Sequence, residues 1–314
     1  MKKVSSCISC LLIMSILVFP LSSSAQQQGD EQPAAGSGAE SGKPDLGEWW
    51  LRNPLTYKPV PEDFLYHLEA TYDWTRNTGN QTDDNHSMSA QLSLRKKIFT
   101  YNIRYTFDKQ NSAKRDDPPN QERDKILRQS TKHEVHNDFR VALTDRLFFS
   151  PGMFWLEDDY AQIKDRNTYY AGFGYTVIRQ PRLLVNVFGA YAYEELDYIS
   201  DYHEIYALLE DWEKANEVKD YEPGTKKSNM IYLYEDVRFY LTRSVALNHS
   251  MKYFRDISDG DKYRWNFSVG ADFKITEHIL GTVSYKEDYD NAPETIMGLR
   301  KRDTAIGAGI KLSF

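Results

Sequence analysis

Beyond its first ten residues the chain contains no cysteine, since Cys7 and Cys10 are the only two. That excludes a disulfide framework, a cysteine nucleophile and a cysteine-held metal from everything downstream. Long apolar runs are scarce as well: the one extended stretch, Leu11 to Leu21 (LLIMSILVFPL), is too short to cross a bilayer as a helix. Basic charge is in deficit, with 39 Lys and Arg against 46 Asp and Glu, which argues against nucleic acid as a partner. Tyrosine, by contrast, is abundant at 22 residues. Its ring and wet hydroxyl suit the border between lipid and water. Low hydropathy excludes a bundle of apolar helices but not a membrane barrel, whose strands alternate apolar and polar residues.

Met1-Lys2-Lys3, the apolar run and the small residues Ser23-Ser24-Ala25 follow one another in the order of a secretory signal peptide, residues 1–25, with cleavage expected before Gln26. Both cysteines leave with it. Residues 26–63 read as a disordered or extended periplasmic leader: the first part is rich in Gly, Ser, Gln and Ala, and the second carries Trp49, Trp50 and prolines that forbid a regular helix.

From Phe64 to Phe314 the chain repeats the two-residue period of strands. In Lys262 to Ile275 (KYRWNFSVGADFKI), the residues Tyr263, Trp265, Phe267, Val269, Ala271, Phe273 and Ile275 share one face, and polar or small residues share the other. The stretch is long enough for a tilted transmembrane strand. The ending TAIGAGIKLSF alternates in the same way, with Ile306, Ala308, Ile310, Leu312 and Phe314 on the apolar side. About twelve such segments are legible, an even number as an up-and-down barrel requires.

The connections alternate in length. Short ones fall at Lys96-Lys97, Thr144 to Arg146, Arg179 to Pro181, Thr242 to Ser244 and Thr276 to His278; long polar ones fall at Arg76 to Asn85, Asn111 to Ser130, Asp158 to Asn167, Ser200 to Lys227, Asp256 to Asp261 and Asp290 to Lys301. One rim of tight turns and one of loops predicts an all-β, antiparallel, transmembrane barrel with periplasmic turns and external loops. Closure also removes the exposed edges of a long sheet. In the 200–227 insertion, Ile205, Leu208, Leu209, Trp212 and Ala215 have helical spacing, predicting a short external helix. It is read either as a plug or partner site, or as a helix resting on neighbouring loops.

From about Leu65 onward the chain resembles the salt-induced outer membrane protein family, a domain-of-unknown-function barrel family of Gram-negative bacteria. The resemblance is carried by TGNQTDD (Thr78, Gly79, Asn80, Thr82, Asp83), LTDRL at Leu143 to Leu147, SYKEDYDNAPE at Ser284 to Glu294, and the terminal KRDTAIGAGIKLSF. Gln81 interrupts the family's usual Gly-Asn-Thr-acid run. The resemblance implies outer-membrane location and no established activity. It also implies that Ile310, Leu312 and Phe314 form a sorting signal read by the barrel-assembly machinery.

The inward parity collects both charge signs: Glu69, Asp73, Arg95, Arg104, Asp108, Glu134, Asp138, Arg140, Asp236, Arg238, Lys252, Arg264, Asp272, Lys274, Lys286, Asp288 and Lys311. Such a lumen either conducts small polar solutes or is closed by charge pairs and tyrosines. Glu235 interrupts the outward face of its strand with His249 as a diagonal outward neighbour, read as a bulge or near-interface position, an oligomer contact, or chemistry. A hydrolase is not expected, because Ser250 follows His249 directly and points to the opposite face. DISDGD at Asp256 to Asp261 lacks EF-hand spacing, and His133 and His136 have no third ligand in range, so no metal and no cofactor is assigned. The partners expected are outer-membrane lipid, the assembly machinery and small polar solutes, with self-association left open.

Overall fold

The computed structural model describes residues 62–78, 84–110, 130–159, 161, 163–180, 182–198, 225–242, 244–292 and 301–314. The residues read as a signal peptide, nearly all of those read as a leader, most of the TGNQTDD motif and the positions of helical spacing in the 200–227 insertion lie outside them.

Twelve strands follow in chain order: β1 Leu65–Thr78, β2 Asp84–Lys96, β3 Phe99–Gln110, β4 Ser130–Ala142, β5 Leu147–Asp158, β6 Ile163–Arg179, β7 Leu183–Tyr198, β8 Lys226–Tyr240, β9 Val245–Asp256, β10 Tyr263–Lys274, β11 Ile279–Asp290 and β12 Arg302–Ser313. Each pairs antiparallel with its chain neighbours, and β1 pairs with β12, closing the barrel. Among the described residues there is no helix. The last residue completes a ladder, with Phe314 N donating to Leu68 O and Leu68 N to Phe314 O, both at 2.9 Å. The Phe314 ring also stacks on His278 at 5.3 Å.

The tight rim is built from local chemistry. In three of its turns a threonine hydroxyl accepts backbone N–H groups: Thr144 from Leu147 at 2.9 Å, Thr242 from Ser244 at 3.2 Å and Thr276 from Ile279 at 3.1 Å. A short hydroxyl side chain can satisfy the turn in this way without lengthening it. At the other rim one expectation is corrected. The loop placed at Asp158 to Asn167 shrinks to residues 159–162, because β6 begins at Ile163. A bulge shifts the register between Leu156 and Asp158, which lets the charged run Lys164-Asp165-Arg166 extend the wall.

The ladder fixes the tilt. Ser150, near the turn end of β5, leads through the register partners Gly172, Ala190, Tyr232, Phe254 and Arg264 to Asp290, the last residue of β11 at the loop end. Crossing strands in rising order therefore climbs towards the loops, as barrel shear demands.

Burial is inverted relative to a water-soluble sheet. Along β6, Tyr169, Ala171, Phe173, Tyr175 and Val177 are exposed, while Thr168, Tyr170, Gly172, Gly174 and Thr176 are buried. Gly174 lies directly beneath the Phe148 ring, where a Cβ would overlap it. Gly174→Val should therefore lower barrel stability by about 2 kcal/mol through overpacking, measurable as a lower urea midpoint and loss of heat-modifiable gel mobility.

Candidate functional site

The lumen has two unlike sectors. Beneath β5 to β9 it is filled by a packed cluster of Phe148, Phe154, Tyr170, Phe188, Ala192, Met230, Tyr232 and Phe254. Tyr232 stacks on Phe254 with centroids 4.5 Å apart and meets Tyr170 edge-on at 5.1 Å; Phe154 lies 5.1 Å from Tyr170. These are core contacts turned inside a barrel, and they occupy space that an open pore would leave to water.

The remaining wall, β10 to β12 and β1 to β4, is ionic. Asp138 accepts from Asn102 and from Arg140, each at 3.0 Å. Arg104 donates to Gln91 at 2.8 Å. Nearer the turn end, buried Asp272 accepts from Arg238 at 3.0 Å and Lys311 at 3.3 Å, and Lys311 also lies 3.6 Å from Glu69. Asp272 thus joins β8, β10 and β12, and Lys311 carries the link on to β1 through Glu69.

Two contacts span the lumen instead of following its wall. Lys252 on β9 reaches Glu134 on β4 at 3.8 Å, five strands away around a twelve-stranded ring. The same ammonium lies 4.7 Å above the Phe154 ring, so it ties the aromatic sector to the ionic one. Towards the loops, Arg264 on β10 grips Glu194 on β7 through both carboxylate oxygens, one bond measuring 2.9 Å, while Thr168 donates to Glu194 at 2.7 Å. Bidentate guanidinium–carboxylate pairing fixes direction as well as distance. Between the sectors lies a cavity of ≈ 360 Å³ bounded by Arg104, Glu134, His136, Arg140, Asp236 and Lys252. A second, of ≈ 240 Å³, adjoins it towards the loops beside Arg166 and Arg264.

Of the residues singled out from the sequence, Arg104, Asp138, Arg140, Asp236, Lys252 and Lys286 line the central cavity. Arg264 lines the upper one. Arg238, Asp272 and Lys311 form the lower network. Lys274 sits exposed at the turn rim, away from the cavities. Glu235 and His249 lie outside the barrel. No register shift occurs between β8 and either neighbour, so Glu235 is not explained by a bulge. Sequence parity missed Glu194, because apolar residues occur on both faces of β7 (LLVNVFGAYAYEELDY) and blur the alternation. It allowed for a lumen closed by charge pairs and tyrosines but named none of the inward aromatics by position.

The outer face carries its own polar ring at the loop end. Outward Tyr72 bonds His86 and Tyr105 bonds His133, each at 2.7 Å. Trp155 donates to Asp165, Tyr193 to Glu195 and Tyr285 to Glu287, each at 2.9 Å. Below this girdle the wall exposes Leu68, Met88, Phe173, Leu233, Val283, Ile306 and Ile310. A continuous apolar belt of that extent is tolerable only against lipid or protein. A closed sheet with an apolar exterior, a polar interior and an aromatic rim is a transmembrane β-barrel.

Residues 69–314 match the family described as Protein of unknown function, DUF481, and the chain belongs to that family. No curated protein matches it. Among solved structures, the chain is similar to the KdgM porin in complex with disordered oligogalacturonate, at 12% identity over 78% of this chain and 99% of that one, TM-score 0.42. It is also similar to the translocator domain of autotransporter NalP from Neisseria meningitidis, at 12% identity, covering 79% and 88%, TM-score 0.43. A third similarity is to outer membrane phospholipase A from Escherichia coli, at 13% identity, covering 78% and 95%, TM-score 0.41. The barrel is established by this chain's own strand pairing, and nothing functional follows from likenesses at these values.

Proposed function

We propose that the chain is an outer-membrane barrel of a Gram-negative bacterium, turns towards the periplasm and loops outward, forming a narrow passage for small polar or ionic solutes. The observation that carries the reading is the two-sector lumen: one half is packed solid, and the other keeps a charged wall beside a ≈ 360 Å³ cavity. Charged side chains facing a confined aqueous path set ion selectivity through their fields. Both signs are present, so the path discriminates by size and local charge order, not by a single dominant sign. The resemblance to salt-induced outer membrane proteins fits a role in osmotic or envelope stress.

A second reading, a non-conducting structural barrel that binds through its external loops, is favoured by Lys252–Glu134, which crosses the lumen at 3.8 Å. Planar-bilayer recording separates the two. A passage gives small discrete steps, and Lys252→Glu shifts its preference towards cations while removing the crossing pair. A folded and inserted protein that stays silent in both forms supports the structural barrel.

A further inference from the structure

Building on the passage reading above, we propose that the solute taken by the central cavity is a small zwitterion, held with its carboxylate towards the turns and its ammonium towards the loops. Among the described residues that line this ≈ 360 Å³ space, Lys and Arg side chains equal Asp and Glu side chains in number. A solute of one sign therefore gains little from the cavity as a whole. What can select is the order in which the two signs are set along the lumen.

That order is the same on two walls. Strands β3 and β11, with β12, β1 and β2 between them in the ring, both run from the turns to the loops. Each presents a cation first and a carboxylate later to the cavity: Arg104 then Asp108, and Lys286 then Asp288. On β4, which runs the other way, Lys132 stands at the acidic level in register with Asp108, and Glu134 lies two residues nearer the turns. The fields follow the same division. The strongest charges acting on Glu134 are the cations Lys252, Lys132, Arg104 and Lys286. Those acting on Lys132 are the carboxylates Asp288, Asp158, Glu134 and Asp108. A basic tier thus holds one carboxylate, and an acidic tier above it holds one cation.

The groups that meet a solute are accessible from the lumen and are not consumed by one another. Arg104, Lys286 and Asp288 are all exposed to the cavity that they line. Arg104 donates only to the neutral amide oxygen of Gln91, at 2.8 Å through Nε and also through Nη2. Among the described residues Lys286 has no hydrogen-bond or ion-pair partner, and Asp288 accepts from the neutral Asn266 at 2.7 Å through one oxygen. Lys286 and Asp288 are two residues apart on one face, which sets the tiers ~7 Å apart along β11. A short molecule with a carboxylate at one end and an ammonium at the other bridges them; a simple anion or cation satisfies one tier only. Charge-assisted hydrogen bonds at both ends fix its direction. Phe188 and Tyr232, on the packed side of the cavity, give its carbon chain an apolar wall.

The probe is γ-aminobutyrate, with butyrate and butylammonium as competitors that carry one charge each. Folded full-length protein in detergent micelles should bind radiolabelled γ-aminobutyrate saturably, and neither competitor should displace it at equal concentration. Arg104→Gln and Asp288→Asn should each weaken binding about tenfold, the effect of losing one charged contact. Exchanging the order on β11, with Lys286→Asp and Asp288→Lys together, keeps the charge count and should abolish binding. Heat-modifiable mobility confirms that each variant is folded. Swelling of proteoliposomes in iso-osmotic γ-aminobutyrate and conductance in potassium chloride read the passage separately. Binding that follows the charge order in a barrel that neither swells nor conducts upholds the site and removes the passage. A folded protein that binds no γ-aminobutyrate, or binds it equally well after the exchange, overturns the zwitterion site, and the passage then stands or falls on conductance alone.

Discussion

Asp272→Ala should lower the unfolding free energy of the barrel by about 3 kcal/mol, the largest loss expected from removing one polar side chain. A buried charge pair broken on one side costs about 3–5 kcal/mol because the surviving charge stays where water cannot replace its partner. Asp272 is 4% exposed and holds two cations, Arg238 at 3.0 Å and Lys311 at 3.3 Å. Removing it leaves two positive charges drawn together without the carboxylate between them. Lys311 keeps Glu69 at 3.6 Å, which places the expected loss at the lower end of the range. Replacing Asp272 with Leu and Arg238 with Met together should recover much of it, since Lys311 then keeps Glu69 and neither cation of the Asp272 pairings is left without a carboxylate. Urea unfolding in lipid vesicles measures both variants. A single variant as stable as the parent would mean that lumen water already screens the network.

The class of fold was legible because barrel strands report one bit per residue. In Lys262 to Ile275 that bit never errs, and the register confirms that Trp265, Phe267 and Val269 share a face with Tyr289, Glu287 and Tyr285 of β11. The turn and loop asymmetry was equally legible, because tight turns need Thr, Asp and Arg at particular places while loops do not. What parity cannot carry is distance across the ring. Lys252 and Glu134 are 118 positions apart and meet only because shear, tilt and closure bring β9 and β4 to facing positions. Nor could parity distinguish inward from outward where both faces of a strand are apolar. Along β7 and β8 the inward set Phe188, Ala192, Met230 and Tyr232 looks as apolar as the lipid-facing set. A half-filled lumen was therefore present in the sequence only as surplus aromatics without an assigned side.

Phe154→Ala tests whether that filling decides function as well as stability. The ring stacks on His136 at 4.2 Å, faces Tyr170 at 5.1 Å, meets Tyr232 and Phe254 edge-on at 5.6 and 6.0 Å, and supports the Lys252 ammonium at 4.7 Å. Truncating a buried phenylalanine costs about 3–5 kcal/mol when the surroundings cannot collapse, and a closed sheet cannot contract around the space. Phe154→Leu, which keeps most of the volume, should lose less than about 1.5 kcal/mol. Phe154 also lines the upper cavity, so its loss enlarges that space and withdraws the support beneath Lys252. If solutes pass along the ionic sector, single-channel conductance should rise in Phe154→Ala and hardly change in Phe154→Leu. If the barrel is sealed by its crossing pairs, stability should fall by the same amount while the bilayer stays silent, because the Arg264–Glu194 grip above and the Asp272 network below remain in place.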